Sequence, residues 1–455
     1  MLALLLEASS GTQLISGEEG LPALGGSAPL TLLPQHQGDH ESAACLDGSP
    51  YGFYYVPATN PASTSWTIFL QGGGWCEDEV SCTNKLQTDR GSSNYFPAMQ
   101  GCNSMNVAED GTIDQEAHCI FMPYCDGASF SGYRGKPWPV PGSSASSLTF
   151  RGIRNLDATV EWALTRLGLD GATQFVLTGE SAGGLSTFIH ADRVISRVRA
   201  ASAGLQAAWA APVVGFFLDH APAKQATSVP NTPSWAHASY TDWIRYIYGM
   251  QNISVAPGGA LSAACVLTYG NAPHLCLMPS HLGRFVETPL FLFASKFDLW
   301  QLAHELQVAW DEPANQPAVR AYGEDFMSQL QAVAGATANG GFITSCVCHL
   351  CPWQQLTNGS RSAVEHYTEW ATARMHAASP ARALRRHKRL LRTEDDSSRA
   401  IRPSATLRGL NAGDQRYWSI DSRGPNGDGE VDIDAQPGHA TCADATGPVE
   451  HLFPL

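Results

Sequence analysis

The stretch VLTGESAGGLSTFIH, residues 176–190, sets a serine between two glycines as Gly179-Glu180-Ser181-Ala182-Gly183. The apolar run QFVLT precedes it as a short buried strand, and LSTFIHADRVI after it continues as a helix. A serine on so sharp a strand-to-helix turn projects its hydroxyl from the strand's end. The helix start behind it directs backbone N–H groups at any negative charge that develops there. The matching chemistry is acyl transfer, in which the hydroxyl attacks a carbonyl carbon. Serine is a poor nucleophile until a base removes its proton, so Ser181 needs two partners, a base and an acid to orient it.

A second stretch, WTIFLQGGGWC at residues 66–76, runs from a strand into three glycines. In hydrolases with a nucleophile elbow, such a loop brings a backbone N–H against the substrate oxyanion, alongside the N–H of the residue after the serine. Gly73, Gly74 and Ala182 are the candidate donors, and Trp75 is a candidate wall of the pocket. Alone, the triple glycine reads equally as a flexible turn, and the glycine-flanked serine as a helix start packed closely on a sheet. Their occurrence in one chain, in this order, favours the hydrolase.

In this class of fold the acid and then the histidine follow the serine. PLFLFASKFDLWQ is a strand candidate ending at Asp298, which puts a carboxylate at a strand's carboxyl end, where α/β sites assemble. GGFITSCVCHLCPW places His349 in a loop after an apolar run. His190, His220 and His304 also follow the serine, and an aspartate after a strand is often a helix cap. Spacing alone leaves these assignments open.

The elements that must carry these residues alternate. From about residue 45 to 378, the β-like runs WTIFLQ, CIFMPY, QFVLT and PLFLFAS interleave with the helical patterns RNLDATVEWALTRLG and SAVEHYTEWATARMHA. This alternation predicts an α/β fold, a mostly parallel central sheet with helices on both faces. We divide the chain into an N-terminal segment, 1–34, a catalytic domain, 35–378, and a tail, 379–455. The tail opens with the basic run ARALRRHKRLLR and turns acidic and Gly/Pro-rich, and its NGDGEVDID lacks EF-hand spacing.

Composition narrows the setting. A net charge of −14 argues against a nucleic-acid binder, which needs a surplus of Lys and Arg. No run approaches the 18 or so apolar residues of a transmembrane helix. Twelve cysteines and the sequons Asn252-Ile-Ser254 and Asn358-Gly-Ser360 indicate an oxidising, secretory compartment and a disulfide-bonded glycoprotein. The start, MLALLLEASS, lacks a basic n-region and is short for a signal peptide, reading as a trimmed signal or a misplaced start. Cys346, Cys348, His349 and Cys351 are also of zinc-ligand type, but that compartment favours disulfides, and we expect no metal.

The stretches CLDGSPYGFYY, LQGGGWC, FMPYCDGASFSG, RGIRNLDATVEWAL, GESAGGLSTFIHAD, VVGFFLDH, PLFLFASKFDLWQ and GFITSC, in order over residues 45 to about 353, resemble the pectin acetylesterase/Notum family. The resemblance implies an α/β-hydrolase-like sheet, no cofactor, and a triad of Ser181 as nucleophile, Asp298 as acid and His349 as base. It also implies that the loop PYCDGASFSG lines the site, where Asp126 reads as a cap of backbone N–H groups rather than a triad member. One departure concerns the base: plant members resemble Ser-Cys, two residues, His, Cys, whereas this chain has SCVCHLC. The tail lies beyond the resemblance.

GGGWC, CDGASFSG and GFFLD are closer to the plant-type pattern, so the expected reaction is removal of O-acetyl groups from an acetylated, pectin-type cell-wall polysaccharide by a secreted monomer. The alternatives are a Notum-like esterase that removes a longer fatty acyl group from a protein or lipid, a serine peptidase or lipase on the same fold, and an inactive glycan- or lipid-binding module.

Overall fold

WTIFLQ, CIFMPY, QFVLT and PLFLFAS all become strands of one sheet. The structure, a computed structural model, describes residues 23–35, 42–378 apart from 109, 141–146, 224–238, 255–258, 337 and 359, and 417–421. The ten strands of the main sheet are β1 (Ala23–Leu32), β2 (Gly52–Val56), β3 (Ser65–Leu70), β4 (Met99–Asn103), β5 (His118–Met122), β6 (Gln174–Glu180), β7 (Ala207–Val213), β8 (Phe291–Ser295), β9 (Gly340–Thr344) and β10 (Trp418–Ile420). Their spatial order is β10-β9-β8-β7-β6-β3-β5-β2-β1-β4. From β10 through β5 all neighbours run parallel, and β2, β1 and β4 are added antiparallel at the other edge.

The central strands β7, β8 and β9 are buried at every position, and β6 at every position but Glu180. A strand buried on both sides must be covered on both faces, which is why QFVLT reads as a continuous apolar run without alternation. Phe175, Val176 and Leu177 are fully buried, each contributing roughly 1.5–3 kcal/mol of apolar transfer. The helices that matter for the site are α1 (Glu79–Lys85), α2 (Gly152–Trp162), α3 (Ala182–Ala201), α4 (Tyr240–Met250) and α5 (Leu299–His304).

The sheet reaches beyond the sequence-derived catalytic domain at both ends. Ala23–Leu32, within the segment 1–34, pair with β2 and β4. Trp418–Ile420, within the tail, pair with β9, and the Trp418 ring lies on Gly341, where a side chain would collide with it. Lys296 Nζ donates to the Asp421 carbonyl at 2.7 Å. The basic run and NGDGEVDID lie outside the described residues.

Disulfides join Cys45–Cys125, Cys76–Cys82, Cys102–Cys119, Cys265–Cys276 and Cys348–Cys351. Cys346 is disulfide-bonded as well. The sulfurs that the zinc alternative requires are therefore engaged, and that alternative is set aside. Cys45–Cys125 spans 80 residues and constrains the unfolded chain by roughly 4–5 kcal/mol in the loop-entropy model. Cys348–Cys351 spans only 3 residues, so its effect is local shape. Among the described residues, no helix is long and apolar enough to cross a membrane.

Candidate active site

Gly179-Glu180-Ser181-Ala182-Gly183 folds as a tight elbow between β6 and α3. Ser181 takes φ +54° and ψ −123°, a left-handed conformation that a non-glycine residue adopts only when its surroundings impose it. Its N–H donates to the Val213 carbonyl of β7 at 3.0 Å, locking the elbow to the sheet. The flanking residues must be small because the backbones touch. A side chain at Gly183 would overlap the Leu70 carbonyl oxygen of β3, and a Cβ at Gly72 would sit 2.9 Å from the Ser181 Cβ.

Three side chains from separate strand ends meet at the elbow. His349 Nε2 lies 2.8 Å from Ser181 Oγ. His349 Nδ1 lies 2.8 Å from Asp298 Oδ2 and 3.0 Å from Oδ1. A carboxylate only accepts, so Nδ1 carries the proton and Nε2 is left to accept from the serine. Asp298 follows β8 and is also the N-cap of α5, with Oδ1 accepting from the Gln301 N–H at 3.0 Å. His349 follows β9 in a loop held by Cys348–Cys351 and by a 3.4 Å bond from the Leu299 N–H to the Cys348 carbonyl. Ser181, His349 and Asp298 are 6 %, 4 % and 1 % exposed, so the hydrogen bonds are shielded from competing water.

The remaining candidate histidines are elsewhere. His190 is buried in α3 and bonds the Ser129 carbonyl, and burial pushes its pKa down to about 4. His220 pairs with Asp325 at 2.7 Å. His304 packs on Trp300, 4.7 Å between ring centres, with its pKa lowered by burial and then by the nearby His349.

A pocket opens beside Ser181. Gly74, Trp75 and Ala182 line it near the hydroxyl, and Phe217, Trp243, Ile244, Ile247 and Trp300 form an apolar wall. Gly74 has φ +66°, a turn that glycine takes freely. Gly73 does not line this pocket. Its carbonyl accepts from Lys85 Nζ at 3.0 Å, and a side chain there would run into Arg90 and Tyr124. Of the two candidate glycines, Gly74 lines the pocket beside Ser181 and Gly73 does not.

Sequence reasoning missed two groups around this pocket. Glu77 lines it, and burial raises its carboxyl pKa despite the opposing pull of Lys85. Nothing in the local sequence distinguishes it from the acidic residues that follow in Asp78 and Glu79. Glu305 is fully buried behind Asp298. Burial, aided by the charge of Asp298, raises its pKa well above the usual carboxylate range, and Tyr322 OH lies 2.7 Å from its Oε2 and from Gln301 Oε1. In the sequence LWQLAHELQ, a glutamate just past the helix end among Gln301, His304 and Gln307 gives no sign of burial.

The loop PYCDGASFSG packs against the elbow. Asp126 Oδ2 accepts from the Phe130 N–H at 2.8 Å and the Ala128 N–H at 3.3 Å. Asp126 is fully buried, which lifts its pKa to about 7. It caps its own turn and touches none of Ser181, His349 and Asp298.

Such a site, a hydroxyl bonded to an imidazole that is itself oriented by a carboxylate beside backbone N–H groups, can carry out nucleophilic acyl transfer. Comparison with known proteins points to ester hydrolysis. The family model described as Pectinacetylesterase matches residues 24–375. Pectin acetylesterase 5 of Arabidopsis thaliana is 26 % identical over 363 residues, covering 72 % of this chain and 77 % of that protein. The palmitoleoyl-protein carboxylesterase NOTUM of Drosophila melanogaster is 25 % identical over 396 residues, covering 84 % of this chain and 52 % of that protein. The solved structure of the Wnt deacylase Notum from Drosophila superposes with a TM-score of 0.63 at 22 % identity, over 77 % of this chain and 94 % of that one, and so shares the fold. The chain belongs to the pectinacetylesterase family, a family of carboxylic ester hydrolases.

Proposed function

We propose that the protein is a secreted serine carboxylesterase that removes O-acetyl groups from a pectin-type cell-wall polysaccharide through an acyl-serine intermediate. The observation that carries this reading is the continuous hydrogen-bond chain Ser181–His349–Asp298 at the wall of the pocket. Ser181 Oγ attacks the ester carbonyl as His349 Nε2 takes its proton. The oxyanion is held by N–H groups of the 72–76 loop, with Gly74 the best-placed glycine, and by the Ala182 N–H. The imidazolium, stabilised by Asp298, returns the proton to the departing sugar hydroxyl. Water then attacks the acyl-serine with the roles reversed, releasing acetate.

The plant-type runs GGGWC, CDGASFSG and GFFLD support a short acyl group in this pocket. Its apolar wall of Phe217, Trp243, Ile244, Ile247 and Trp300 favours the second reading, a longer fatty acyl group. The disulfides support secretion, and the exposed Asn252 of the sequon Asn252-Ile-Ser254 supports a glycoprotein.

Hydrolysis of p-nitrophenyl esters of increasing chain length tests both readings. Rates that fall steeply beyond butyryl are expected for the acetylesterase, and a maximum at long chains would transfer the assignment to the second reading. Ser181→Ala should abolish turnover of every ester and leave the fold intact. Undiminished turnover in that variant, or none in the unaltered protein, would overturn the mechanism.

A further inference from the structure

Ser129 lies in the loop between β5 and α2, outside the Ser181–His349–Asp298 chain. It is fully buried and left-handed, with φ +54°, and the next residue, Phe130, has φ +57°. Every polar group it has is engaged. Its N–H donates to Tyr124 OH at 3.2 Å, and its carbonyl accepts from His190 Nε2 at 3.1 Å. Its hydroxyl accepts from Trp75 Nε1 at 2.6 Å and donates to the Ala182 carbonyl at 2.6 Å.

The two groups joined by this hydroxyl belong to opposite sides of the site. Trp75 is in the loop after β3 and lines the pocket with Gly74, and Ala182 begins α3 beside the nucleophile. An indole N–H only donates and a carbonyl only accepts, so joining them takes one small group that does both. Alanine does neither and aspartate only accepts. Threonine would place a branched side chain in a left-handed backbone, where such residues are outliers. Ser129 therefore fits by chemistry as well as by size. Since the Ser181 N–H is tied to Val213, the Ser129 bond fixes the backbone on the far side of the Ala182 N–H, and the elbow is held from both ends.

We propose that Ser129 is a positioning residue that clips the 72–76 loop to the nucleophile elbow, so that the N–H groups from the two segments converge on one oxyanion. This inference rests on the esterase reading of the same site. An oxyanion site works because its donors are already in place when charge develops, and removing one donor outright costs about 10²–10³ in kcat. A donor that is loosened rather than removed should lose part of that.

In the full chain, Ser129→Ala should lower kcat for p-nitrophenyl acetate about 10- to 100-fold and change KM less than about 2-fold. Inhibition by an alkyl boronic acid, which forms a tetrahedral anion on the serine, should weaken by a similar factor. Trp75→Phe removes the indole N–H from the other end of the clip and keeps the test available if Ser129→Ala does not fold. It too should weaken the boronate adduct. The double variant should lose no more kcat than the worse single variant, because both break one connection. Ser131→Ala, which removes a buried hydroxyl bonded to the Ala128 carbonyl in the same loop, should leave kcat unchanged. Unchanged kcat and boronate affinity in both Ser129→Ala and Trp75→Phe, multiplicative losses in the double variant, or an equal loss in Ser131→Ala would overturn the clip. If Ser181→Ala remains active, the esterase reading itself fails, a result distinct from any of these.

Discussion

Asp298 divides its carboxylate between His349 and its own helix: Oδ2 faces His349 Nδ1 at 2.8 Å while Oδ1 caps α5 through Gln301. The two tasks separate on substitution. Asp298→Asn can still cap, because asparagine is as good an N-cap as aspartate. It loses the charge that stabilises the imidazolium and the acceptor that fixes the tautomer. We expect ester turnover to fall about 10⁴-fold while the thermal midpoint barely moves. Asp298→Ala should lose activity similarly and also about 1 kcal/mol of stability. Equal stability losses in the two variants, measured by urea unfolding, would show that the cap contributes nothing.

Strain at the nucleophile makes a second prediction. The φ of +54° at Ser181 costs a non-glycine residue about 1–3 kcal/mol, and glycine largely escapes that cost. Ser181→Gly should be inactive yet about 1 kcal/mol more stable than Ser181→Ala. A glycine variant that melts below the alanine variant would mean that the elbow is relaxed.

Asp126 and His190, each through its own burial, link stability to pH in opposing directions. Asp126, with a pKa near 7 against an ordinary 3.8, holds a proton in the native state that the unfolded chain has released. Its contribution is full below pH 3.8 and is lost as pH rises to about 7. His190, with a pKa near 4 against an ordinary 6.5, has the reverse effect. Its contribution is full above pH 6.5 and is lost as pH falls to about 4. Between these limits the slopes oppose each other, each on the order of 3–4 kcal/mol at full extent. His190→Gln should unmask the Asp126 slope, so that urea midpoints fall as pH is raised from 4 to 7. Midpoints that run parallel to those of the unaltered protein would rule out the opposition.

The Cys348–Cys351 bridge closes too short a loop to matter much for global stability, but it encloses His349. Replacing both cysteines with serine should therefore reduce kcat well before it reduces the thermal midpoint. If activity and midpoint fell together, the bridge would be a general staple instead.

Much of the site was legible because close backbone contact demands glycine. Gly179, Gly183 and the GGG run stand where strand, elbow and loop touch, and the strand QFVLT was readable because both its faces are buried. The acid and the base were not legible from spacing. Asp298 looks like a helix cap because it is one, and His349 competes with His190, His220 and His304 until the fold separates them. Those two came from the family resemblance. β10 escaped notice because three residues inside a polar tail carry no periodicity, and their burial depends on a partner strand far away in the chain. The Ser129 bridge was equally hidden. CDGASFSG announces a tight loop, but which of its hydroxyls meets an indole and a carbonyl is decided only by packing.

The bridge around His349 has a further implication for when the protein becomes competent. A freshly made chain whose thiols are still reduced has the nucleophile and the strands but no brace on its proton acceptor. Oxidation of that thiol pair would then serve as an arming step for ester cleavage.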